Sequence, residues 1–600
     1  MNKNKKIYPV KSSAKGRGAA RPLFNRVKIV LDNKKVLAKE GQTILEVAKK
    51  KGIEIPSLCF HPDLEIKENC RLCLVEIKGE KELKTACSTI AQEGMEIITH
   101  SPKIYKARKF NLELIFSQHT EECDDCVFKF NCQLLNLAKK YNVKITRFKD
   151  RKTKRPIFQF GPIVFDQTKC MDCRNCEEVC PVDFLEIKDQ GAEIKIEPSK
   201  EKDKDCVACG QCLVHCPVGA VESTGEFESI EKPLKQKDKI VVAQFAPALR
   251  SSLGEEFGLA FGSIITGQLV AGLKKIGFNK VFDTSVGADF TTVEEAQELK
   301  ERLRNKKNLP MFTSCCPAWV KFIEFYYPEF IKNLTTVRSP HIILGGLIKT
   351  FWPEKEKINP KKIVVVSIMP CTAKKYEIER KELKINGLKP VDYVLTTREI
   401  ARLFKIHKID LEKLKPEKTD HPLGLPSGAG VIYGSSGGVM ESVLRTVYEK
   451  LTGKKLLRLN FKQVRGEEGI KEAEISNHHL VKVAVVNGLG NAKIVLEKLK
   501  KNPKAYDYIE VMACEDGCVG GGGQPMPVDK IIRKKRALGL YQIDQKKETR
   551  LAHQNPIVKN VYQNFPPDQI KKVSSTYYLK KSKGQIYQLK NSLRPKKFYA

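Results

Sequence analysis

Apolar residues in the second half of the chain come in short runs separated by longer amphipathic stretches. "KIVVAQFAPA", "KVFDTS", "LPMFTSCCP", "KKIVVVSIMPC", "VDYVLTT", "VKVAVVNGLG" and "YDYIEVMAC" are rich in Val, Ile and Phe and bounded by Gly, Pro or Asp. Runs of roughly four to eight such residues predict strands buried on both faces, alternating with helices from about residue 238 onward. "TTVEEAQELKERL" reads as one of those helices. It puts Glu295 and Glu298 on one face with Arg302 a turn further on. Near the start, "RVKIVLDNKKVLAKEGQTILEVAKKKG" predicts two short strands and an amphipathic helix. The strongest apolar run, "IVVVSIMP" at 363–370, reads as a buried strand and falls well short of the roughly 18 residues of a membrane span.

Six hundred residues exceed what one hydrophobic core organises, so several domains are expected. With 41% hydrophobic and 30% charged residues the composition is that of a soluble globular protein. The first 31 residues hold nine Lys/Arg, no acid, no apolar core and no twin arginine. A flexible basic tail over 1–25 and a cytoplasmic location are therefore expected, ahead of an organelle transit peptide. The formal charge of +36 permits nucleic acid or an acidic protein as partner. The lysines are spread along the chain and accompany no nucleic-acid motif, which favours an acidic redox partner. Cysteines that bind metal would be thiolates, and these would lower the balance.

The twenty cysteines change the picture most. They are too sparse for a disulfide scaffold and they fall into clusters. Cys59, Cys70, Cys73 and Cys87 are spaced C-x10-C-x2-C-x13-C behind the predicted strands and helix. That arrangement resembles a plant-type 2Fe–2S ferredoxin with a widened first spacing, and a structural zinc would use similar ligands. His119, Cys123, Cys126 and Cys132 form a His-x3-Cys-x2-Cys-x5-Cys set. Alone it suits zinc; here it resembles the His-plus-three-Cys 4Fe–4S site that follows such a ferredoxin module. "CMDCRNCEEVCP" (170–181) and "CVACGQCLVHCP" (206–217) are two copies of the bacterial two-cluster ferredoxin run, in which each fourth cysteine serves the other cluster. Cys170, Cys173, Cys176 and Cys216 then hold one cubane; Cys206, Cys209, Cys212 and Cys180 hold the other. His215, inside the second run, reads as a local hydrogen-bonder.

Five cysteines remain: Cys315, Cys316, Cys371, Cys514 and Cys518, each just past the carboxyl end of a predicted strand. In open α/β sheets that edge is where ligands bind. "TSCCPAW" (313–319), "MPCTAKK" (369–375) and "EVMACEDGCVGGGGQP" (510–525) closely resemble the three signatures of FeFe hydrogenases. With the ferredoxin-like modules, the resemblance extends over nearly the whole chain and is to the long clostridial-type architecture.

The resemblance implies an H-cluster, a 4Fe–4S cubane joined to a diiron unit with CO, cyanide and a bridging dithiolate, held by Cys316, Cys371, Cys514 and Cys518, with Cys518 bridging. It implies one 2Fe–2S and three accessory 4Fe–4S clusters. It gives Lys374, Ala246, Pro247, Ala248, Met369 and Met512 as contacts of the diiron unit, and it leaves Cys315 as a proton relay leading to Glu295 and Glu298, with Arg302 and Thr335 beside them. His341 stands where glutamine is common. Tyr433, followed by Gly434, stands where phenylalanine is common, and Glu515 and Asp516 occupy usually small or neutral positions. The glycine run at 520–523 is followed by no Lys-Ser/Thr helix, so it reads as close backbone approach to a cluster, with no phosphate loop.

The expected architecture is multidomain. A β-grasp ferredoxin-like module spans 26–103, a His-plus-three-Cys 4Fe–4S module 104–150 and a two-cluster module 151–232. They precede an α/β catalytic head with two sheet lobes over 233–532 and a helical small-subunit segment over 533–600 that contains "HQNPIVKNVYQNF". The expected activity is reversible proton reduction to H2, with electrons exchanged with ferredoxin or another acidic carrier and with maturation proteins as further partners. Two alternatives are a hydrogenase subunit of an NAD(P)-linked, electron-bifurcating complex with flavin-binding partners, and a non-catalytic electron-transfer or cluster-assembly protein.

Overall fold

A computed structural model describes residues 25–119, 126, 128, 130, 132–148, 155–190, 193–454, 459–466, 469–477 and 479–589. The basic tail and Cys123 lie outside the described residues.

The amino-terminal module is a five-stranded sheet in the order Lys34–Lys39, Arg26–Leu31, Glu96–Ile98, Leu74–Ile77, Lys84–Thr85. The pair Arg26–Leu31 and Glu96–Ile98 is parallel and the others are antiparallel. Helix Ile44–Lys50 starts at a reciprocal cap, Thr43 with Glu46, and buries Ile44, Leu45, Val47 and Ala48 against the sheet. Helices Pro102–Phe116 and Gln133–Lys140 follow. The two ferredoxin runs are packed with a hairpin, Leu185–Gln190 with Glu193–Pro198, and a four-stranded sheet.

The head has two sheets, as the apolar runs predict. One is all parallel in the order Lys280–Asp283, Ile240–Phe245, Ile363–Met369, Tyr393–Thr396. The other runs Met311–Phe312, Tyr508–Met512, His479–Asn487, Ile470–Asn477, parallel except for its last pair. All seven quoted runs contain a strand. The antiparallel edge strand Ile470–Asn477 had no continuous apolar run to mark it.

One expectation is corrected. The carboxyl-terminal segment is not purely helical. Helices Lys530–Lys546, Pro556–Asn564 and Pro567–Ser574 are followed by an extended strap ending in strand Ile586–Leu589. That strand pairs antiparallel with Ile157–Phe160 and completes the sheet of the two-cluster module. The first of these helices also crosses position 533 without a break. Among the described residues no helix is long and apolar enough to cross a membrane.

Candidate functional site

The carboxyl ends of strands from both head sheets face one cavity of about 80 Å³, lined almost wholly by apolar atoms. Strand Ile240–Phe245 delivers Ala246, Pro247 and Ala248; Ile363–Met369 delivers Met369 and Cys371; Tyr508–Met512 delivers Met512 and Cys514. Cys315, Cys316, His341, Lys374, Tyr433, Gly434 and Cys518 complete the predicted set, and all of them line it. The loop at Pro247 is fixed from behind. Buried Arg250 donates Nε to the Pro247 carbonyl at 3.0 Å and Nη2 to both carboxylate oxygens of Asp283 at 2.8 Å.

Lys374 gives its ammonium to the Cys315 carbonyl at 3.0 Å and to Glu377 Oε2 at 2.7 Å. His341 lies on the other side of that carboxylate, Nε2 at 2.7 Å, with Nδ1 3.1 Å from Ser367 Oγ. Burial pushes Glu377 up, but the Lys374 charge and His341 outweigh it and hold the carboxyl at about 2. Burial, reinforced by Lys374, lowers His341 to about 4. The imidazole is therefore neutral at neutral pH and, facing a carboxylate, carries its proton on Nε2.

Glu295, Glu298 and Arg302, the residues expected to form a proton path, lie on helix Thr284–Asn305. Glu295 is fully buried; burial raises it to about 8, although the Tyr508 hydroxyl donates to Oε2 at 3.1 Å. Its Oε1 has no hydrogen-bond partner among the described residues. Glu298 accepts from Thr335 Oγ1 at 2.7 Å, from Thr336 N and Oγ1 at 3.0 Å, and from Arg302. Arg302 also donates to the carbonyls of Asn308, Asn333 and Leu334. Burial, then the charge of Glu295, pushes the Cys315 thiol well up.

Sequence reasoning missed Thr284, which lines the cavity with an unpartnered Oγ1. Its signal was its place directly after "VFD", at a strand end. Glu515 and Asp516, read as acids beside a cluster, do not line the cavity. Asp516 instead accepts from Arg533 Nε at 2.7 Å, and Arg533 Nη1 reaches Asp63 of the amino-terminal module at 2.7 Å.

The other thiols form neighbouring groups. Cys59 and Cys70 sulfurs are 3.4 Å apart, and the Cys173 thiol lies close enough to raise Cys59. Cys170, Cys173 and Cys216 act on Cys176; Cys209, Cys206 and Cys180 act on Cys212. Cys212 also acts on Cys176 and Cys216 on Cys212, so the two groups adjoin. Buried His119 places Nδ1 2.9 Å from the Lys169 carbonyl, so Nδ1 carries the proton. The Cys126 sulfur lies 3.3 Å from where a Cβ on Gly219 would stand. Where the second ferredoxin run meets the head, a Cβ on Gly522 would come within 2.5 Å of the Cys209 carbonyl oxygen and of Gly210 Cα. Thr372 Oγ1 donates to the Ala208 carbonyl at 2.7 Å across the same joint. The glycine run thus serves close backbone approach.

The donor sets fit iron–sulfur clusters. Burial pushes Cys316 above the ordinary thiol value, and burial with repulsion from neighbouring thiols does the same to Cys371, Cys514 and Cys518, Cys371 to about 12. A cationic core is what allows such thiols to ionise together. Grouped buried thiols leading to an apolar cavity at strand ends define a multicluster iron–sulfur oxidoreductase.

Four family models match: the 2Fe-2S iron-sulfur cluster binding domain over 25–102, the 4Fe-4S dicluster domain over 169–220, the C-terminal domain of the iron only hydrogenase large subunit over 239–522 and the iron hydrogenase small subunit over 529–569. The NADP-reducing hydrogenase subunit HndD of Solidesulfovibrio fructosivorans is 38% identical over 559 residues, 90% of this chain and 95% of that one. Iron hydrogenase 1 of Clostridium pasteurianum is 37% identical over 553 residues, 90% and 96% of the two chains. The solved apo [FeFe]-hydrogenase HydA1 from Chlamydomonas reinhardtii superposes with a TM-score of 0.54 at 37% identity, covering 60% of this chain and 99% of that one. The chain belongs to the iron-only hydrogenase family.

Proposed function

We propose that the protein interconverts protons and electrons with molecular hydrogen at an H-cluster. Cys316, Cys371, Cys514 and Cys518 would hold it, with Cys518 also bridging to the diiron unit. That group, when bound, supplies the site at which hydrogen is made or split. The observation that carries this reading is the convergence of five thiols and Lys374 on one apolar cavity.

The side chains have separable tasks. Ala246, Pro247, Ala248, Met369, Met512 and Tyr433 exclude water and shape the wall, and small or adaptable side chains suit that role. Lys374, oriented by Glu377 and His341, presents a fixed cation to an anionic ligand. Cys315 holds an exchangeable proton beside the cavity. Glu295, close to neutral-pH titration, accepts it on the unpartnered Oε1. Glu298, with Thr335, Thr336 and Arg302 around it, stands on the outward side. Electrons take a different route. Cys59, Cys70, Cys73 and Cys87 would hold a 2Fe–2S cluster, and His119, Cys123, Cys126 and Cys132 a 4Fe–4S cluster. Both adjoin the group of Cys170, Cys173, Cys176 and Cys216, and the group of Cys206, Cys209, Cys212 and Cys180 then abuts Cys371.

The electron partner is proposed to be ferredoxin or another acidic carrier in the cytoplasm, in keeping with the formal charge of +36. A second reading, a subunit of an NADP-linked complex, is favoured by the likeness to HndD over 90% of the chain. Matured protein should display CO and cyanide infrared bands, evolve H2 from reduced viologen and contain about 20 iron atoms per chain. Absence of the diatomic bands overturns the reading. NADPH-driven H2 evolution that requires a co-purified flavoprotein would select the second partner assignment.

A further inference from the structure

A second cavity, of about 410 Å³, opens where the modules meet. His61 comes from the amino-terminal module, Phe128 from the segment behind it, Asn175 and His215 from the two ferredoxin runs, and Arg398, Arg402 and Lys405 from the head. None of the described cluster thiols lines it, so it is separate from the ligand groups above.

Helix Thr397–Ile406 carries the three cations at successive turns, which turns them to one face. Glu256 is the only carboxylate among the lining residues, and it is bonded to Lys405 at 2.9 Å. Arg398 is half-buried and makes two long contacts, both to neutral acceptors: Nη1 to Met526 Sδ and Nη2 to the Gly522 carbonyl, each 3.4 Å. No carboxylate among the described residues hydrogen-bonds its guanidinium; the charges of Glu256, Glu222 and Glu399 act on it, and burial outweighs them and holds it below its ordinary value. A guanidinium offers five donors in a fork shaped for oxyanions. Asn175, 2% exposed, gives its amide nitrogen to the His215 carbonyl at 3.3 Å and leaves Oδ1 with no partner. Buried polar atoms are ordinarily satisfied, so an acceptor and a cation left unmatched in one cavity point to a ligand that carries a negative charge and a donor.

We propose that this cavity binds a small phosphate-type oxyanion, with its charged oxygens on Arg398 and the flanking cations and a hydroxyl donated to Asn175 Oδ1. Monohydrogen phosphate carries such a hydroxyl itself; a nucleoside monophosphate carries it on the ribose and adds a ring for the aromatic wall of Phe60, Phe128 and Phe130. The proposal is independent of the hydrogen chemistry. Because four parts of the chain line the cavity, its occupant would also tie the modules together.

The test is anaerobic calorimetry on the intact, cluster-loaded protein, with inorganic phosphate and AMP as separate probes and Tm followed in parallel. One site per chain and a raised Tm are expected. Arg398→Met should weaken binding at least about tenfold, as loss of a charged hydrogen bond does, while leaving viologen-driven H2 evolution unchanged. Asn175→Asp, which places a like charge in the cavity, should abolish binding; iron content reports that each variant has folded. AMP binding more tightly assigns a nucleotide, and equal affinities assign the inorganic ion. Binding of neither probe at about 10 mM, or equal binding by folded Arg398→Met, overturns the proposal.

Discussion

At the residue scale, the doubled cysteine divides two tasks between neighbours. Cys316 stands at the N-cap position of helix Pro317–Tyr326 and lines the cavity with Cys371, Cys514 and Cys518, while Cys315 lies against the charge of Glu295. Positioned acid–base groups contribute roughly 10²–10⁴-fold. Cys315→Ala should therefore cut H2 turnover at least about 100-fold with iron content unchanged, as viologen assay and iron determination will read. Glu295 is raised to about 8, so it holds its proton at neutral pH and gives it up as the pH rises through that value. H2 evolution should decline on that side, and Glu295→Gln should remove activity across the profile. Glu377 shows the opposite sign. Held at about 2, its pairing with Lys374 and His341 stabilises the protein above the ordinary carboxylate range, and that contribution is lost as the pH falls toward 2. Glu377→Gln leaves a buried lysine unpaired, and at neutral pH it should cost about 3–5 kcal/mol, read as a lowered Tm, and shift the cyanide bands. The places of Cys315 and Lys374 on the cavity were legible because their motifs are local. Thr284 and Tyr508 were not read, since what brings them to the site is the pairing of strands far apart in sequence; Glu377 lies only three residues from Lys374 and was missed although its signal was local.

At the scale of elements, the apolar runs announced the strands because both sheets of the head are covered on both faces. Strand Ile470–Asn477, an antiparallel edge beside His479–Asn487, breaks its apolar positions with Lys471, Glu472 and Glu474 and gave no such signal. The glycine run was legible as close approach, but its partner, Gly210 of the second ferredoxin run, was not. The contact joins backbones more than 300 residues apart. Gly522→Ala would force a methyl group into the Cys209 carbonyl and Gly210, atoms that cannot swing aside. Overpacking of about 1–3 kcal/mol is expected. Because it falls at the joint between the last accessory group and the catalytic cavity, ferredoxin-driven H2 evolution should drop while the diatomic infrared bands persist.

At the scale of the whole molecule, the modules are laced together by contacts that no single module contains. Arg533, on the first helix of the carboxyl-terminal segment, joins Asp63 at one end of the chain to Asp516 in the loop between Cys514 and Cys518. Arg533→Met strands a buried Asp516, and limited proteolysis should then release the amino-terminal module faster than from the parent protein. The strap after helix Pro567–Ser574 binds as it passes: Lys581 N donates to the Glu324 carbonyl at 3.0 Å and Lys583 Nζ to the Ser199 carbonyl at 3.0 Å. It then adds strand Ile586–Leu589 to the sheet built on Ile157–Phe160. This closing strand has a bearing on biosynthesis. The sheet of the dicluster module stays one strand short while the ribosome is still translating the head, so that edge remains open for hundreds of codons. Closure of that sheet therefore waits on almost the last stretch of the chain, and a nascent chain stalled before codon 586 would carry that edge unsealed.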